Sequence, residues 1–600
     1  MRTSKSALCL PALAAALVLM APGAAYAHPG DGGVSDEGVI APGSGQALQH
    51  PGKGGHLPAK QENVTLVGKA PIDGAGEGRV ADVAAFGNTA YLTVRDPEGC
   101  QDAGVALMDI TNPNRPRQVG FIDATAGSFP GEGAQVLDVK TASFTGQVLL
   151  FNNEICDADT GKGGASLWDV TNPAAPVLLT AHAGDQTAGK DSNPAVNDIH
   201  SVLGWTDADK AYAVLVDNAE TEDVDILDIS DPRNPVLISE TDLNDFGVLQ
   251  EQNTPLGGNS FLHDAEVQRI NGVMTMVASY WDGGWTLLNV DKPAKPRVID
   301  NYDYAAKDPQ LGLTTNEGNA HQAEFSPDGT LIVGTDEDFS PFRTTVSAGG
   351  VDYQAAQGSD TPQLNAQTAL AGNPVFLGRA CDADETLPAA TGTHTVAVIE
   401  RGVCSFTEKA ANVDAAGGYT GVVLFNSAAD CTGIVTPSVT GGLPFVSVSR
   451  GTGFALFGQA PACSTTPFAT GTKGTSLTAQ AVFDGWGYTR LMTKDGLNEL
   501  GTYAIDESQD PAFATGFGDL SVHEVAVDPN KNGLAYLSYY SGGLRVVEYG
   551  PGGIKEVGAF IAKGGSNFWG VEHHTLPSGQ QLILASDRDT GLWILDYTGA

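Results

Sequence analysis

Positive charge is scarce in this chain of 600 residues, which has 32 lysine and arginine residues against 71 aspartate and glutamate residues. The formal net charge of −39 creates a field that repels nucleic acid and anionic lipid surfaces. Long apolar runs are also missing, because no stretch after the N-terminal segment approaches the ~20 apolar residues of a membrane-spanning helix. We therefore expect no nucleic-acid partner and no membrane span, and the surplus of carboxylates is compatible with cation binding.

The common sequence motifs of hydrolases and of zinc sites are missing too. The chain has no Gly-x-Ser-x-Gly nucleophile elbow, no Cys-x-x-Cys pair and no Cys/His zinc spacing. His523-Glu524 is followed by valine and alanine where a metalloprotease motif requires a second histidine. Two Asp-Thr-Gly triplets, at 159–161 and 589–591, lack the apolar residues that precede such triplets in aspartic proteases. No peptidase or hydrolase motif is therefore recognisable.

The N-terminal segment 1–27 has the pattern of a signal peptide. Arg2 and Lys5 form a positive start, an apolar run follows, and Ala25-Tyr26-Ala27 has the small residues of a cleavage site. The apolar run is too short to span a membrane. We therefore expect a secreted, extracellular protein in which residues 28–61, rich in glycine, proline, histidine and serine, form a flexible leader.

Cysteine usage agrees with export. Of the 7 cysteines, Cys9 would leave with the signal peptide, and the remaining even number indicates disulfides in an exported chain. Six cysteines allow about fifteen sets of pairs.

One phrase recurs about every 60 residues along the chain. Asp109-Ile110-Thr111-Asn112-Pro113 returns with small changes at 169–173, 228–232 and 289–293. An apolar run precedes each phrase and a second proline and another apolar run follow it, which predicts a strand, a turn and a strand. A repeat of this length built from strands predicts a radial array of sheets.

The repeat unit predicts a mainly β fold, a seven-bladed β-propeller formed by residues 62–341 and 481–600. The last blade lacks one strand, whereas residues 63–69 form an outer strand without a blade of their own. We expect this N-terminal strand to complete blade seven and close the ring, which removes the exposed edges of the sheets.

The proline phrase, with the Gly-Leu-x-Val-x-Asp strand before it, resembles the LVIVD-repeat family of bacterial exported β-propellers. The resemblance covers most of 62–340 and 480–600, and it is weaker in blades five to seven, where residues 549–553 replace the proline turn. It implies the propeller fold and export.

Residues 342–480 interrupt blade five and have a different pattern. Within them, 395–426 contains an apolar strand, a turn with Cys404, an alanine-rich helix, a glycine stop and a second apolar strand. With the apolar strand at 443–448, this segment resembles a protease-associated (PA) domain. The resemblance implies an inserted α/β PA domain with the disulfides Cys381–Cys404 and Cys431–Cys463.

Four blades begin their inner strand with a histidine. In a four-stranded meander these starts emerge on the same face as the loops between strands two and three, so the imidazoles should converge within roughly 10 Å at one mouth of the channel. Carboxylates stand three residues after two of the histidines. We therefore predict a divalent-metal site made of His200, His263, His321, His523, Glu266 and Glu324. The alternative is that histidine at this repeat position only bonds neighbouring backbone.

In the other three blades, the same position is predicted to hold Ala81, Leu137 and Val571, with His573 and His574 following Val571.

The loops between strands two and three carry further predictions. The PA insertion lies in this loop of blade five, so we expect it to stand over the same mouth as the histidines. Cys100 and Cys156 lie in this loop of adjacent blades, which predicts a third disulfide. Acidic runs at 157–159, 217–220, 336–338 and 587–589 predict either Ca²⁺ sites, since Ca²⁺ prefers carboxylate oxygen, or merely a solvated surface.

Three functions fit these features. The first is a secreted, non-catalytic binding protein that recognises an extracellular protein, peptide or glycan through the PA domain and the adjoining propeller face. The second is a metal-dependent enzyme, a hydrolase or oxidoreductase, with a His/Glu site at the channel mouth and a PA domain that gates it. The third is a scaffold whose bound Ca²⁺ only stabilises loops. Missing catalytic motifs favour the first function, and the clustered histidines favour the second.

Overall fold

The computed structural model of the chain describes residues 56–599, except 98, 158, 185–197, 218–223, 248–260, 303, 306, 308–309, 311–317, 339, 366, 382–386, 429–432, 436 and 461–467. The predicted signal peptide and most of the predicted leader lie outside the described residues. Within the described part of the chain, every helix is too short or too polar to cross a bilayer.

The chain enters the fold through two strands, β1 (Lys60–Glu62) and β2 (Val64–Ala70). β2 pairs antiparallel with the last strand of the chain, with Val64 opposite Tyr597, and so closes the propeller as predicted. β1 adds a short fifth strand to the outer edge of blade six. Leu57 is fully buried between blades five and six, so the packed chain begins before residue 62.

Blades one and two are antiparallel meanders. Blade one consists of β3 (Val80–Phe86), β4 (Thr89–Val94), β5 (Gly104–Asp109) and β6 (Arg117–Asp123). The blade-two segment consists of β7 (Ser128–Phe129), β8 (Gln135–Lys140), β9 (Thr145–Asn152), β10 (Glu154–Ile155), β11 (Ala165–Asp169) and β12 (Val177–Ala183). β7 and β10 form a separate two-stranded ribbon in the loops of this blade.

Blades three and four repeat the meander. Blade three consists of β13 (Ile199–Asp207), β14 (Lys210–Asp217), β15 (Val224–Asp228) and β16 (Val236–Thr241), followed by a 3-10 turn at Leu243–Phe246. Blade four consists of β17 (Asp264–Ile270), β18 (Val273–Ser279), β19 (Trp285–Asn289) and β20 (Arg297–Asn301).

Blade five starts with β21 (Ala320–Phe325) and β22 (Leu331–Asp336), and the chain then leaves the propeller. The insertion forms one eight-stranded sheet with two helices. Its strands are β23 (Phe342–Ala348), β24 (Val351–Gln357), β25 (Leu370–Gly372), β26 (Pro374–Phe376), β27 (Val396–Glu400), β28 (Gly421–Phe425), β29 (Phe445–Val448) and β30 (Leu477–Phe483). Its helices are α1 (Phe406–Ala416) and α2 (Arg450–Ala455).

The α/β half of the insertion follows the sequence pattern. Strands β26 to β29 are mutually parallel neighbours and almost entirely buried, as continuous apolar runs in a parallel sheet require. Helix α1 begins where the Ser405 hydroxyl accepts a hydrogen bond from the Glu408 N–H. It ends at Gly417, whose φ of 82° is a left-handed conformation that glycine adopts freely. This is the α/β PA domain expected from the sequence.

The C-terminal end of the insertion lies later than the predicted boundary at 480. β30 continues to Phe483 and pairs with β23, with Val482 opposite Arg343. The apolar residues after 480, predicted from the sequence to belong to the propeller, therefore belong to the sheet of the insertion. Their alternating pattern suits either sheet, and the pairing with β23 decides between them.

The second half of the propeller follows the insertion. Blade five is completed by β31 (Thr489–Thr493) and β32 (Glu499–Tyr503), followed by 3-10 turns at Asp506–Gln509 and Pro511–Phe513. Blade six consists of β33 (Val525–Val527), β34 (Leu534–Ser538), β35 (Leu544–Gly550) and β36 (Gly553–Ile561). Blade seven consists of β37 (Phe568–Thr575), β38 (Gln581–Asp587), β39 (Gly591–Tyr597) and the N-terminal β2.

The first strands of the seven blades surround the central channel. β3, β8, β13, β17, β21, β33 and β37 contact one another in this order, and β37 contacts β3 again. Apolar clusters fill the spaces between neighbouring blades. The seven-bladed architecture is therefore as predicted.

The recurrent phrase is a self-capping turn. In blade one, Asp109 Oδ1 accepts a hydrogen bond from the Thr111 N–H at 3.0 Å, and the Arg115 N–H donates to the Asn112 carbonyl at 2.9 Å. The first of these bonds recurs in the other three copies at 2.9, 2.9 and 3.0 Å, from the residues at 171, 230 and 291. The acidic or amide residue repeats because its side chain replaces a backbone partner at the end of a strand.

Two of the three predicted disulfides are present. Cys100–Cys156 joins the loops of blades one and two, and Cys381–Cys404 lies within the PA domain. The predicted pair Cys431–Cys463 lies outside the described residues.

Candidate functional site

Four imidazoles meet at one end of the channel, contributed by four consecutive blades. Neighbouring ring centroids are 4.4 Å apart for His200 and His263, 4.3 Å for His263 and His321, and 4.0 Å for His321 and His523. All four side chains are buried, at 0–1% exposure. The structure thus brings together all four histidines of the predicted site.

Local backbone irregularities turn two of these histidines toward the channel. The regular pairing of β13 with β14 skips His200, and the pairing of β21 with β22 skips His321. A β-bulge of this kind redirects a side chain, and such bulges are frequent next to functional sites. The repeat position at the start of the inner strand is therefore built to project a side chain onto the channel axis.

Glu132 enters the ring from blade two and lies among the four imidazoles. Its carboxylate oxygens are 3.5 Å from His200 Nε2, 3.5 Å from His321 Nε2, 3.9 Å from His263 Nδ1 and 3.1 Å from His523 Nε2. The prediction of Leu137 at this position of blade two was wrong, because the ring residue precedes β8 in a loop without a strand pattern.

Glycine next to Glu132 permits this approach. Gly133 has a φ of 75°, and a Cβ atom there would lie 2.4 Å from the Val202 backbone nitrogen. The only signal for Glu132 in the sequence is the Gly-Glu-Gly triplet before the inner strand of blade two.

Blades seven and one complete the ring with Trp569 and Ala81. The Trp569 indole lies 4.6 Å from the His523 imidazole, and Trp569 packs with Ala81 and Tyr540 in one cluster. Val571 does not occupy the blade-seven position as predicted, because the pairing of β37 shifts register between Phe568 and Val571, and gapless counting along the sequence misses this bulge. The seven ring positions are Ala81, Glu132, His200, His263, His321, His523 and Trp569.

A second layer, contributed by the loops between strands two and three, covers the ring. Glu337 Oε2 is 3.4 Å from His321 Nε2, and Glu337 also accepts a short hydrogen bond from the Tyr540 hydroxyl. Glu154 Oε1 is 3.6 Å from His200 Nδ1. Trp281 stacks on His263 with ring centroids 4.9 Å apart. From the sequence, Glu337 was predicted only as part of an acidic loop, and Glu154 was not predicted as a site residue.

The ring compensates its central charge. Burial by itself would raise the pKa of Glu132, but the nearby His321, His523 and His200 together hold that pKa well below its usual value. Burial by itself would lower the pKa of His200, yet Glu132 and Glu154 raise it well above the usual value. Burial and the neighbouring His321 lower the pKa of His523 to about 3. The ring therefore combines an ionised Glu132 and a protonated His200 with a neutral His523. A carboxylate and a neutral imidazole are metal-ligand forms, and His200 would release its proton on binding a metal.

Three overlapping sets of ring donors have the spacing of a metal site. Within each set the ligand atoms lie within 4.8 Å of one another. The sets are Glu132 with His200 and His263, Glu132 with His321 and His523, and Glu337 with His263 and His321. Imidazole nitrogen and carboxylate oxygen suit first-row transition metals such as zinc, iron or manganese.

Glu266 and Glu324 are not part of these donor sets. They line a cavity of about 120 Å³ in the channel, which Glu132 and His321 also line. Its other acidic lining residues are Asp82, Asp264, Glu524 and Glu572. We name this set of six residues, without Glu132, the acidic channel. Glu266 and Glu324 face the channel as Asp264 and Gln322 do. Each lies two residues further along the same inner strand, where the side chain returns to the same face of the sheet.

The remaining candidate groups have structural partners. His573 stacks on Tyr536, and His574 Nε2 lies 2.8 Å from the Gly87 carbonyl oxygen, so neither belongs to the ring. In the acidic loops, Asp336 accepts a hydrogen bond from Arg490 at 2.6 Å, and Asp157 accepts one from Thr160 at 2.8 Å. These carboxylates act in turns and ion pairs of the loops.

Comparison with known proteins identifies the inserted domain. The PA domain family model matches residues 369–456. A search of curated proteins finds no match.

Solved structures with detectable similarity include three different proteins. BSAP, a zinc aminopeptidase from Bacillus subtilis, is 20% identical over 27% of this chain and 36% of that chain, with a TM-score of 0.17. The Pseudomonas aeruginosa periplasmic gluconolactonase PpgL is 13% identical over 45% and 70%, with a TM-score of 0.32. Saccharomyces cerevisiae Sqt1 is 9% identical over 90% and 100%, with a TM-score of 0.37. The chain thus spans about a third of the aminopeptidase, and these likenesses assign no function. The sheet topology and the PA family match together describe a seven-bladed β-propeller with a PA domain inserted in blade five.

Proposed function

We propose that the ring holds a divalent first-row transition metal and that the protein is an exported metal-dependent enzyme, a hydrolase or an oxidoreductase. The observation that carries this proposal is the convergence of His200, His263, His321 and His523 on the Glu132 carboxylate inside the channel. A merely structural role for histidine would need only one backbone partner per imidazole. Four imidazoles around one buried carboxylate instead provide a preorganised set of donors.

The chemistry of the donor set supports catalysis as well as binding. A divalent metal held by imidazoles polarises a bound carbonyl or phosphoryl group and lowers the pKa of bound water. Glu337, held by the Tyr540 hydroxyl, lies beside His321 on the mouth side of the ring. Burial and the nearby Glu132 raise the pKa of Glu337 well above its usual value, so Glu337 is suited to hold and transfer a proton near a substrate when the metal is held by Glu132 and the imidazoles.

The path of the chain from the ring into the insertion supports a role of the PA domain in controlling access. β22 ends at Asp336, Glu337 follows at once, and the chain then enters the insertion. The Asp338 N–H donates to Ser521 Oγ two residues before His523, so the start of the insertion is fixed beside the ring. Movement of the PA domain would therefore change the position of Glu337 and the opening above the imidazoles.

The disulfides of the protein support its export. The disulfides Cys100–Cys156 and Cys381–Cys404 suit an oxidising compartment outside the cytoplasm.

Elemental analysis of untagged protein from its export compartment tests the proposal. We expect about one transition-metal ion per chain in the wild type and loss of that metal in the His263→Ala/His321→Ala variant. The matched control is His56→Ala/His394→Ala, which removes two histidines outside the ring and should retain the metal. A wild-type protein without transition metal after exposure to zinc, iron and manganese would overturn the metal centre.

Recognition of an extracellular protein, peptide or glycan is the second candidate function, and the PA domain at 369–456 favours it. In that case the propeller mouth and the PA domain form a binding surface without catalysis. Metal analysis separates the two candidates, because recognition alone requires no ion that depends on His263 and His321.

A further inference from the structure

A buried arginine that forms no ion pair with any described carboxylate lies beside the ring. Arg588 follows β38 in the loop between strands two and three of blade seven, and its side chain is 2% exposed. Its Nη2 donates to the Gly78 carbonyl oxygen at 3.1 Å, whereas Nε and Nη1 have no hydrogen-bond partner among the described residues. Tyr540, Asp589, Asp519 and Glu337 interact electrostatically with this guanidinium, but none of them forms an ion pair or hydrogen bond with it among the described residues.

A second buried arginine lies near the same indole ring. Arg95 follows β4 in the corresponding loop of blade one and is 1% exposed. The guanidinium carbons of Arg588 and Arg95 lie 4.3 Å and 5.1 Å from the Trp569 ring centroid. Trp569 is a ring position and contacts His523, so the two arginines border the site on its blade-seven and blade-one side.

The burial of the Arg588 charge is energetically unfavourable as long as no ligand is bound. Burial and the like charge of Arg95 lower the pKa of Arg588, which means that the surroundings disfavour its charged form. A buried ion without a close counter-charge destabilises the folded protein, and arginine does not release its proton to avoid this. A bound anion would remove the cost, since the planar guanidinium donates two parallel hydrogen bonds to a carboxylate or a phosphate.

We infer that Arg588, with Arg95 beside it, binds the carboxylate or phosphate group of the small molecule that enters the channel mouth. That such a molecule also reaches the ring rests on the proposed function, whereas the contact between the anion and Arg588 does not. The substrate class is then an organic oxyanion, with its anionic group near Trp569 and its remainder directed toward His523 and Glu337. In a chain with a net charge of −39, the buried guanidinium of Arg588 at this mouth also provides a local positive charge that favours anions against the overall field.

Isothermal titration calorimetry with inorganic phosphate and, separately, succinate tests the inference on full-length protein stripped of metal by EDTA. Chloride holds the ionic strength constant, so that the general screening of charge is equal in all titrations. We expect the wild type to bind at least one of the two anions and Arg588→Met to bind it at least about tenfold more weakly. The anion that binds more tightly assigns the group as phosphate or carboxylate.

Two further variants keep the test decisive. Arg297→Met removes the same charge from an exposed position and should bind the anion like the wild type. Should Arg588→Met fail to fold, Arg588→Lys keeps the charge but loses the planar fork, and we expect binding several-fold weaker than in the wild type. Equal binding by the wild type and both Arg588 variants, or no binding by the wild type at millimolar anion, overturns the inference. Because the metal is absent throughout, these outcomes are independent of the metal analysis.

Discussion

Two levels of the propeller channel bury carboxylates in opposite electrostatic surroundings. In the ring, Glu132 lies within 3.1–3.9 Å of four imidazole nitrogens, and its pKa is held well below the usual value. In the acidic channel, burial raises the pKa of Glu324 and of Glu572 to about 8, and neighbouring carboxylates add to the effect. Both levels are built along the same inner strands, and the acidic residues follow the ring positions by one residue or by three, as Asp264 and Glu266 follow His263.

The comparison shows which carboxyl group the protein stabilises in its ionised form. An ionised group persists inside a protein only where partners replace the water that it has lost, and otherwise it takes up a proton. The ring surrounds its carboxylate with imidazoles, whereas a carboxyl group of the acidic channel has neutral donors such as the Val527 N–H, which do not offset its burial and the neighbouring carboxyl groups. Glu266 and Glu324, predicted as ligands from their spacing to the histidines, therefore differ from Glu132 in kind as well as in position.

The Glu132→Gln substitution should have the largest effect, because it removes the charge that distinguishes the ring from the acidic channel. The variant keeps the shape of the side chain but removes the negative charge that His200, His321 and His523 surround. We expect metal affinity, measured by competition with a chromophoric chelator, to fall by about 100-fold or more, at or above the upper end of the roughly 10–100-fold loss for an outer-shell partner.

Glu324→Gln is the matched control, because it makes the same chemical change in the acidic channel and keeps an oxygen that accepts the Val527 N–H bond. Its metal affinity should stay within about threefold of the wild type, since it removes no donor of the ring. Equal losses in the two variants would contradict the division of the channel into two levels.

A smaller effect, on stability rather than binding, is expected from the acidic channel. Because the folded pKa values of Glu324 and Glu572 are raised, the folded state keeps protons that the unfolded state has already released. Their stabilising contribution is complete below pH about 4.5 and is lost as the pH rises through about 8, on the order of a few kcal/mol.

Thermal unfolding of metal-free protein between pH about 5 and about 9 measures this loss. The wild type should lose stability as the pH rises, and Glu324→Gln/Glu572→Gln should flatten that part of the profile. An unchanged slope in the double variant would mean that these two carboxyl groups do not titrate as described.

The fold was predictable because the same strand–turn–strand pattern recurs along the sequence. The self-capping turn at Asp109 and its three copies mark the start of the outer strand in blades one to four, and the unmatched strand at 63–69 predicts the closure. The PA domain was recognisable from its strands and from the capped helix α1. The boundary at 480 was less accurate because the apolar residues up to Phe483 suit either sheet.

The candidate site was predictable only where the repeat is regular. His200, His263, His321 and His523 share one repeat position, so a comparison of blades finds them. Glu132 lies before its strand in a glycine-flanked loop, and Trp569 is displaced in the count by the bulge in β37. Spacing along one strand cannot report either residue, since both reach the axis through irregular backbone.

X-ray absorption spectroscopy at the edge of the bound metal tests the central claim most directly, because it reports the ligands themselves. For untagged wild-type protein we predict a first shell of nitrogen and oxygen at about 2.0–2.2 Å, with the outer-shell scattering of at least two imidazoles. That scattering should disappear or weaken in the His263→Ala/His321→Ala variant. A first shell of oxygen alone, without imidazole scattering, would contradict the account and place any bound ion in the acidic channel or on the surface.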